Sequence, residues 1–208
     1  MTTDRKELSR AEFDKDAEEY DESPKYASLR LSYQKIADEA LRNEFRTWLD
    51  IGCGTGALLL LIGQQKKDAQ LFGVDLSEQM IKVARSKLGK TVDLRVSDSE
   101  KLPFEDNQFD LITCTFSFHH YPKPKTALAE MQRVLSPNGR VIIADASAFF
   151  PINQIHNLLA PLRKDGTIRV YSRAGMQKLA QSVGLVVSSW SKLNWHSHML
   201  VFERKRHQ

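Results

Sequence analysis

Between Trp48 and Ala57 the chain reads W-L-D-I-G-C-G-T-G-A. Leu49 and Ile51 sit among short apolar residues that predict the end of a buried strand. Gly52, Gly54 and Gly56 follow at alternate positions, and Leu58-Leu59-Leu60-Leu61-Ile62 then gives an apolar run suited to a buried helix. A strand, a glycine-rich turn and a helix are the first half of a nucleotide-binding βα unit. The glycines remove Cβ atoms where the backbone must turn sharply and approach a ligand, and the N–H groups at the helix start face that ligand. Read as G-x-G-x-x-A over Gly52, Gly54 and Ala57, the turn suits a dinucleotide.

The rest of the chain repeats this alternation. Residues 1–45 are charge-rich and helical in pattern, with Phe13, Ala17 and Tyr20 spaced for one helix face, a break at Pro24 and a second helix from about Ser28 to Phe45. They predict a cap on the core, or a lid with Tyr20 or Tyr26 closing over a ligand. Gln70 to Asp75 reads as the second strand, ending in a carboxylate where such folds hold ribose, since one carboxylate can accept from both hydroxyls of a diol. Ser77 is the better candidate for capping the next helix, which leaves Asp75 for the ligand. Val92 to Val96 alternates as a third strand, and Asp98 at its tip points into the same crevice as Asp50 and Asp75. A fourth strand, Phe109 to Cys114, leads to Thr115-Phe116-Ser117-Phe118-His119-His120. A helix over Lys125–Leu135, a Pro137-Asn138-Gly139 turn and the strand Arg140–Asp145 complete this part.

Taken together, residues 46 to 146 resemble a class I S-adenosylmethionine-dependent methyltransferase, of the group that includes quinone-biosynthesis enzymes. The resemblance rests on D-I-G-C-G-T-G from Asp50 to Gly56, G-V-D-x-S from Gly73 to Ser77, and D-x-x-x-L-P-F from Asp98 to Phe104. Phe109-Asp110 and R-V-L-x-P-x-G from Arg133 to Gly139 extend it, and the N-terminal F-D-x-x-A-x-x-Y-D resembles the opening of members acting on small molecules. It implies an α/β fold: a Rossmann-like doubly wound sheet of seven strands, mostly parallel with the last antiparallel, under an N-terminal helical cap. The acid Asp50 is repelled by a pyrophosphate and attracted by the methionine ammonium or sulfonium, which favours this donor over a dinucleotide. By resemblance Asp75 holds the ribose, Asp98 the adenine amine and the glycine loop the methionine part. The full cofactor set implied is Asp50, Gly52, Cys53, Gly54, Gly56, Asp75, Leu76, Met80, Asp98, Ser99, Thr115 and Tyr20, with S-adenosylhomocysteine as product.

Residues 147–171 interrupt the pattern and are expected to form a substrate-side insertion, followed by a helix capped at Ser172 and the strand pair around Gly184–Val187 and His198–Phe202, which complete one domain over 1–208. His120, and secondarily His119, are the candidate bases beside the expected methyl position, because histidine titrates near neutrality. Tyr171, Arg173, Trp195 and His196 are further pocket candidates. Ser117-Phe118-His119-His120 stands where amino-methylases of planar amides carry N/D-P-P-Y/F, which disfavours that chemistry, and only Asp145 offers itself as a metal ligand, so no metal is expected. A formal charge of +4, much of it in Arg204-Lys205-Arg206, points to a solvated tail and away from nucleic acid. Cys53 and Cys114 are expected to be buried free thiols. The polar N-terminus and the lack of a long apolar segment predict a cytoplasmic protein. The resemblance implies a monomer or homodimer that methylates a small molecule on oxygen or carbon. A non-catalytic cofactor-binding sensor is the alternative, and a nicotinamide oxidoreductase, for which no Tyr-x-x-x-Lys pair is present, ranks third.

Overall fold

The computed structural model describes residues 2–146, 152–160 and 167–205. In chain order these form α1 (Thr2–Asp16), α2 (Ala27–Ala40), β1 (Thr47–Ile51), α3 (Ala57–Gly63), β2 (Gln70–Asp75), α4 (Glu78–Leu88), β3 (Val92–Val96) and β4 (Phe109–Thr115). Then come α5 (Pro124–Val134), β5 (Leu135–Ala146), α6 (Ile152–Leu159), α7 (Arg173–Gln181), β6 (Leu185–Lys192) and β7 (Ser197–Arg204). The seven strands lie in the order β3-β2-β1-β4-β5-β7-β6. Strands β1 to β5 pair in parallel, and β7 runs antiparallel between β5 and β6. This is the expected doubly wound sheet.

Side-chain alternation sorts the strands between two cores. Trp48, Leu111, Ile142 and Val201 face the cluster built with α2, α3 and α4. Leu49, Ile112, Val141 and Phe202 face the cluster built with α5 and α7. The chain runs outward from β1 to β3, then returns to β4 on the other side of β1. The carboxyl ends of β1 and β4 therefore flank the crevice where open α/β sheets bind ligands. No described helix is long and apolar enough to cross a membrane.

Several boundaries differ from the sequence reading. The first helix ends at Asp16, so Ala17 and Tyr20 lie in the turn beyond it and not on its face. Pro24 opens a short 3-10 helix, Pro24–Tyr26, capped by Ser23, instead of breaking a longer helix. The second helix stops at Ala40, short of Phe45. The residues Pro137-Asn138-Gly139 are a bulge within β5, where pairing with β4 jumps from Phe109↔Leu135 to Leu111↔Arg140. A Cβ on Gly139 would stand 2.9 Å from the Phe109 carbonyl oxygen, which is why glycine serves there. Of the expected insertion, Ala160 and helix α6 are seen, whereas Phe149-Phe150-Pro151 and Lys164-Asp165-Gly166 lie outside the described residues, as does Arg206 of the basic tail.

Candidate active site

The glycine loop is pinned to its neighbours by backbone. Gly52 and Cys53 N–H groups both donate to the Val74 carbonyl at 2.8 and 3.0 Å, tying the end of β1 to β2. Gly52 has φ +70, and a Cβ there would meet Ser117 Oγ at 2.4 Å, so the loop lies directly against the segment after β4. From Gly54, at φ +52, the N–H donates to Asp75 Oδ2 at 2.9 Å. The Ser77 N–H donates to Asp75 Oδ1 at the same distance. Both oxygens of Asp75 are thus fixed by backbone donors, and the carboxylate keeps acceptor capacity toward the pocket. Burial pushes the Asp75 carboxyl above its ordinary value, against the three backbone N–H groups that favour its charged form. Ser77 caps α4 as expected, its Oγ accepting from the Met80 N–H at 3.0 Å.

The N-terminal segment lies over this crevice and is tied to it at three places. Lys6 Nζ on α1 donates to Asp98 Oδ2 at 2.5 Å and pairs with Glu100 Oε2 at 2.7 Å. The Ser77 hydroxyl donates to Asp14 Oδ1 at 2.6 Å. Beyond α1, the Thr55 hydroxyl donates to Asp21 Oδ1 at 2.6 Å, and Lys87 pairs with the other oxygen of Asp21. The result is a narrow pocket of about 80 Å³.

That pocket gathers Gly52, Gly54, Asp75, Leu76, Met80 and Asp98, together with Ser99, Thr115, Tyr20 and His120, all named from sequence. Asp50, Cys53 and Gly56 do not border it. Gly56 is a packing position: a Cβ there would meet Leu88 Cδ1 at 2.6 Å on α4. The Cys53 thiol turns inward toward Gly73, whose added Cβ would meet its sulfur at 3.0 Å. Both cysteines are buried and free, as expected. Strand alternation turns Asp50 to the face of Trp48, away from the crevice. There Trp48 Nε1 donates to Thr113 Oγ1 at 2.9 Å, and the Thr113 hydroxyl donates to Asp50 Oδ1 at 2.6 Å. Asp50 Oδ2 is buried with no hydrogen-bond partner among the described residues, and burial pushes the carboxyl up to about 7.

A second cavity of about 650 Å³ opens on the other side of Tyr20. Its walls include Tyr26, Leu29, Leu193 and His119, with Leu31 and Trp195 exposed at the rim. His119 is held from three directions. Asp145, at the end of β5, accepts from its N–H through Oδ2 at 2.8 Å and meets its Nδ1 through Oδ1 at 2.5 Å. Its carbonyl accepts from the Ile168 and Arg169 N–H groups. The sequence placed Asp145 only as a lone metal-ligand candidate, and no metal-binding cluster exists among the described residues. The usable signal was an acid ending the strand beside the one that leads to the histidines. Trp195 and His196 do border the second cavity, whereas Tyr171 and Arg173 line a separate small pocket behind Asp145. Phe13, Tyr20, Phe116 and His120 border both cavities. Phe116 adopts φ +53, a left-handed conformation that costs a bulky residue on the order of 1–3 kcal/mol.

Comparison with known proteins bears on what this pair of cavities is. A family model described as a methyltransferase domain matches residues 49–143. The methyltransferase YcgJ of Bacillus subtilis, itself of uncharacterised activity, is 30% identical over 188 residues, 88% of this chain and 73% of that protein. The chain belongs to the class I S-adenosylmethionine-dependent methyltransferases. A demethylmenaquinone methyltransferase of Deinococcus radiodurans is 35% identical over 112 residues, 52% of this chain and 46% of that protein. The matched stretch thus spans about half the length of such curated relatives. Among solved structures, the complex of a Haloferax volcanii methyltransferase with the Trm112 methyltransferase activator superposes with a TM-score of 0.80 at 20% identity, over 96% of this chain and 99% of that one.

The residues present fit the methyltransferase cofactor. Gly54 faces the pocket, and a Cβ there would meet nothing nearer than Met80 Sδ at 4.0 Å, so the backbone stands open to a ligand. Asp75 offers paired acceptors for a diol, and Asp98 offers an acceptor for an amine.

Proposed function

We propose that this methyltransferase methylates a small molecule bearing an acidic O–H or C–H, with His119 as the general base. The observation that carries the reading is the His119–Asp145 pair on the wall of a large cavity that adjoins the cofactor pocket. The sulfonium donor brings an already activated methyl group, so the protein's task is alignment and proton removal. With Nδ1 committed to Asp145, Nε2 is the ring nitrogen that takes the acceptor's proton, and the carboxylate stabilises the imidazolium that results. His120, the first choice from sequence, has its ring edge-on to Phe13 at 5.2 Å and serves as wall between the cavities. Asp75 and Asp98 take the ribose and adenine roles, and Asp50 supports the loop from behind.

Helix α1 acts as a lid in this reading. A pocket of about 80 Å³ is far below the roughly 300–1,000 Å³ of ligand sites, so the Lys6, Asp14 and Asp21 contacts must open to admit a nucleoside. That no described side chain fills the second cavity favours an enzyme over a non-catalytic sensor. The test is an acceptor screen with radiolabelled S-adenosylmethionine, including hydroxylated aromatic rings because quinone-methylating relatives exist. The reading predicts label transfer to a small molecule that is lost in His119→Ala while donor binding persists. Donor binding without transfer to any acceptor, in wild type and variant alike, would favour the sensor.

A further inference from the structure

The two cavities meet at four rings drawn from four places in the chain. Phe13 comes from α1, Tyr20 from the turn after it, Phe116 from the exit of β4, and His120 from the 3-10 helix Phe118–His120. Phe13 stands edge-on to His120 with centroids 5.2 Å apart and an interplanar angle of 84°. It meets Tyr20 at 6.3 Å and 61°. Among the described residues that border both cavities, none is a carboxylate and none is aliphatic. Asp75 and Asp98 border the cofactor pocket alone, and Glu12 borders the acceptor cavity alone. Phe116 is nearly buried and is held in the left-handed region, with its N–H donating to the Ala144 carbonyl at 2.7 Å. A bulky residue persists there only where its surroundings fix it, and such strain collects at ligand sites.

A methyl group has to cross from one cavity to the other at this shared wall, so the donor's reactive end must be presented there. That end is a sulfonium, a cation with polarised methyl hydrogens. Aromatic faces attract such cations through the ring quadrupole, as they do quaternary ammonium groups. We propose that Phe13, Tyr20, Phe116 and His120 form a charge-reading port, and that Phe13 and Phe116 are specificity-determining residues favouring the methylated, cationic form of the cofactor over the demethylated one. The proposal rests on the donor and acceptor assignment above. On transfer, the carbon–sulfur bond breaks with its electron pair remaining on sulfur, the methyl group bonds to the acceptor, and the acceptor's proton passes to the base. The charge leaves the port, the product is a neutral thioether, and the rings lose their hold on it. A carboxylate at the same place would also attract the sulfonium, but it would compete for the acceptor's proton and resist burial. Rings avoid both problems.

The measurement is calorimetric binding of S-adenosylmethionine and S-adenosylhomocysteine to the full chain, without acceptor. Phe13→Leu and Phe116→Asn remove a ring each, and asparagine tolerates the left-handed backbone at 116. Each is expected to weaken the sulfonium ligand by about five- to thirtyfold while moving the thioether by about twofold or less. Phe13→Tyr, which keeps a ring, should restore the wild-type ratio. Equal weakening of both ligands would mean a plain apolar wall and would overturn the proposal, as would no change in either. Should Phe116→Asn fail to fold, Phe13→Leu on the α1 surface decides alone. Failure of wild type to bind either ligand would sink the donor assignment itself, which is a different result.

Discussion

The two cavities proposed here for cofactor and acceptor are built by different means. On the cofactor side, the parts are strand ends and the turns that leave them: Gly52 and Gly54 after β1, Asp75 at the end of β2, Asp98 after β3. Sheet register sets their spacing, and backbone N–H groups orient their side chains. Across the wall, the acceptor side is assembled from α1, α2, the 3-10 turn after β4, the tip of β5 and the hairpin joining β6 to β7. There His119 has its side chain and both backbone polar groups fixed by neighbours. A site that must always hold the same ligand is made of the rigid parts, and one whose ligand differs between relatives is made of the attachments.

The sharpest way to break that contrast is to remove the base. In His119→Ala, kcat should drop by about 10²–10⁴, with the donor affinity changed by about twofold at most. Asp145→Asn should lie between that variant and wild type, because the imidazolium loses its carboxylate. Full activity in both would remove His119 from the chemistry. On the other side, Asp75→Ala deletes a carboxylate that takes two backbone bonds and two expected ligand bonds, so donor affinity should fall by about a hundredfold, read by calorimetry. Its melting temperature should stay near wild type if the loop is held chiefly by the Gly52 and Cys53 bonds to Val74.

Asp50 probes the scaffold that both sides share. Its folded carboxyl, pushed up to about 7, binds protons more tightly than the unfolded one. The contribution of Asp50 to stability is therefore fully present below the ordinary carboxylate range and is lost as pH rises from there through about 7. The loss is on the order of 4 kcal/mol at most, or about ten degrees in melting temperature for a chain of this size. Asp50→Asn should flatten that slope, and melting curves across pH 4–8 check it. The smallest effect belongs to the lid. Lys6→Ala breaks half-buried ion pairs to Asp98 and Glu100 that contribute about 1 kcal/mol or less, and should change donor affinity by about threefold at most. A larger loss would mean that Lys6 itself touches the donor.

The same contrast explains what the sequence could and could not disclose. Gly52, Gly54, Asp75 and Asp98 stand at the ends of successive strands of a βα repeat, so local spacing placed these four at the pocket. Asp50 failed because its strand position has the parity of Trp48, and a period of two turns both to the helix face. Gly56 failed because a glycine needed for packing against Leu88 looks in sequence like one needed for a ligand. The histidine pair was legible as chemistry, yet neighbouring residues of a 3-10 helix point about 120° apart. Which of them meets Asp145 depends on the phase of that single turn. Asp145 itself lies 26 residues downstream, brought alongside by the pairing of β4 with β5.

Strand β7 has one more consequence, for synthesis. It is the last of the seven to leave the ribosome, yet it sits inside the sheet, hydrogen-bonded to β5 over Arg140–Ala146 and to β6 on its other edge. Until Ser197–Arg204 emerges, β5 presents an apolar, unpaired edge, Val141-Ile142-Ile143, and β6 has no neighbour at all. That is a template for wrong partners. The nascent chain can thus complete most of the donor pocket while still being a hazard to its neighbours, and only its final strand renders it safe.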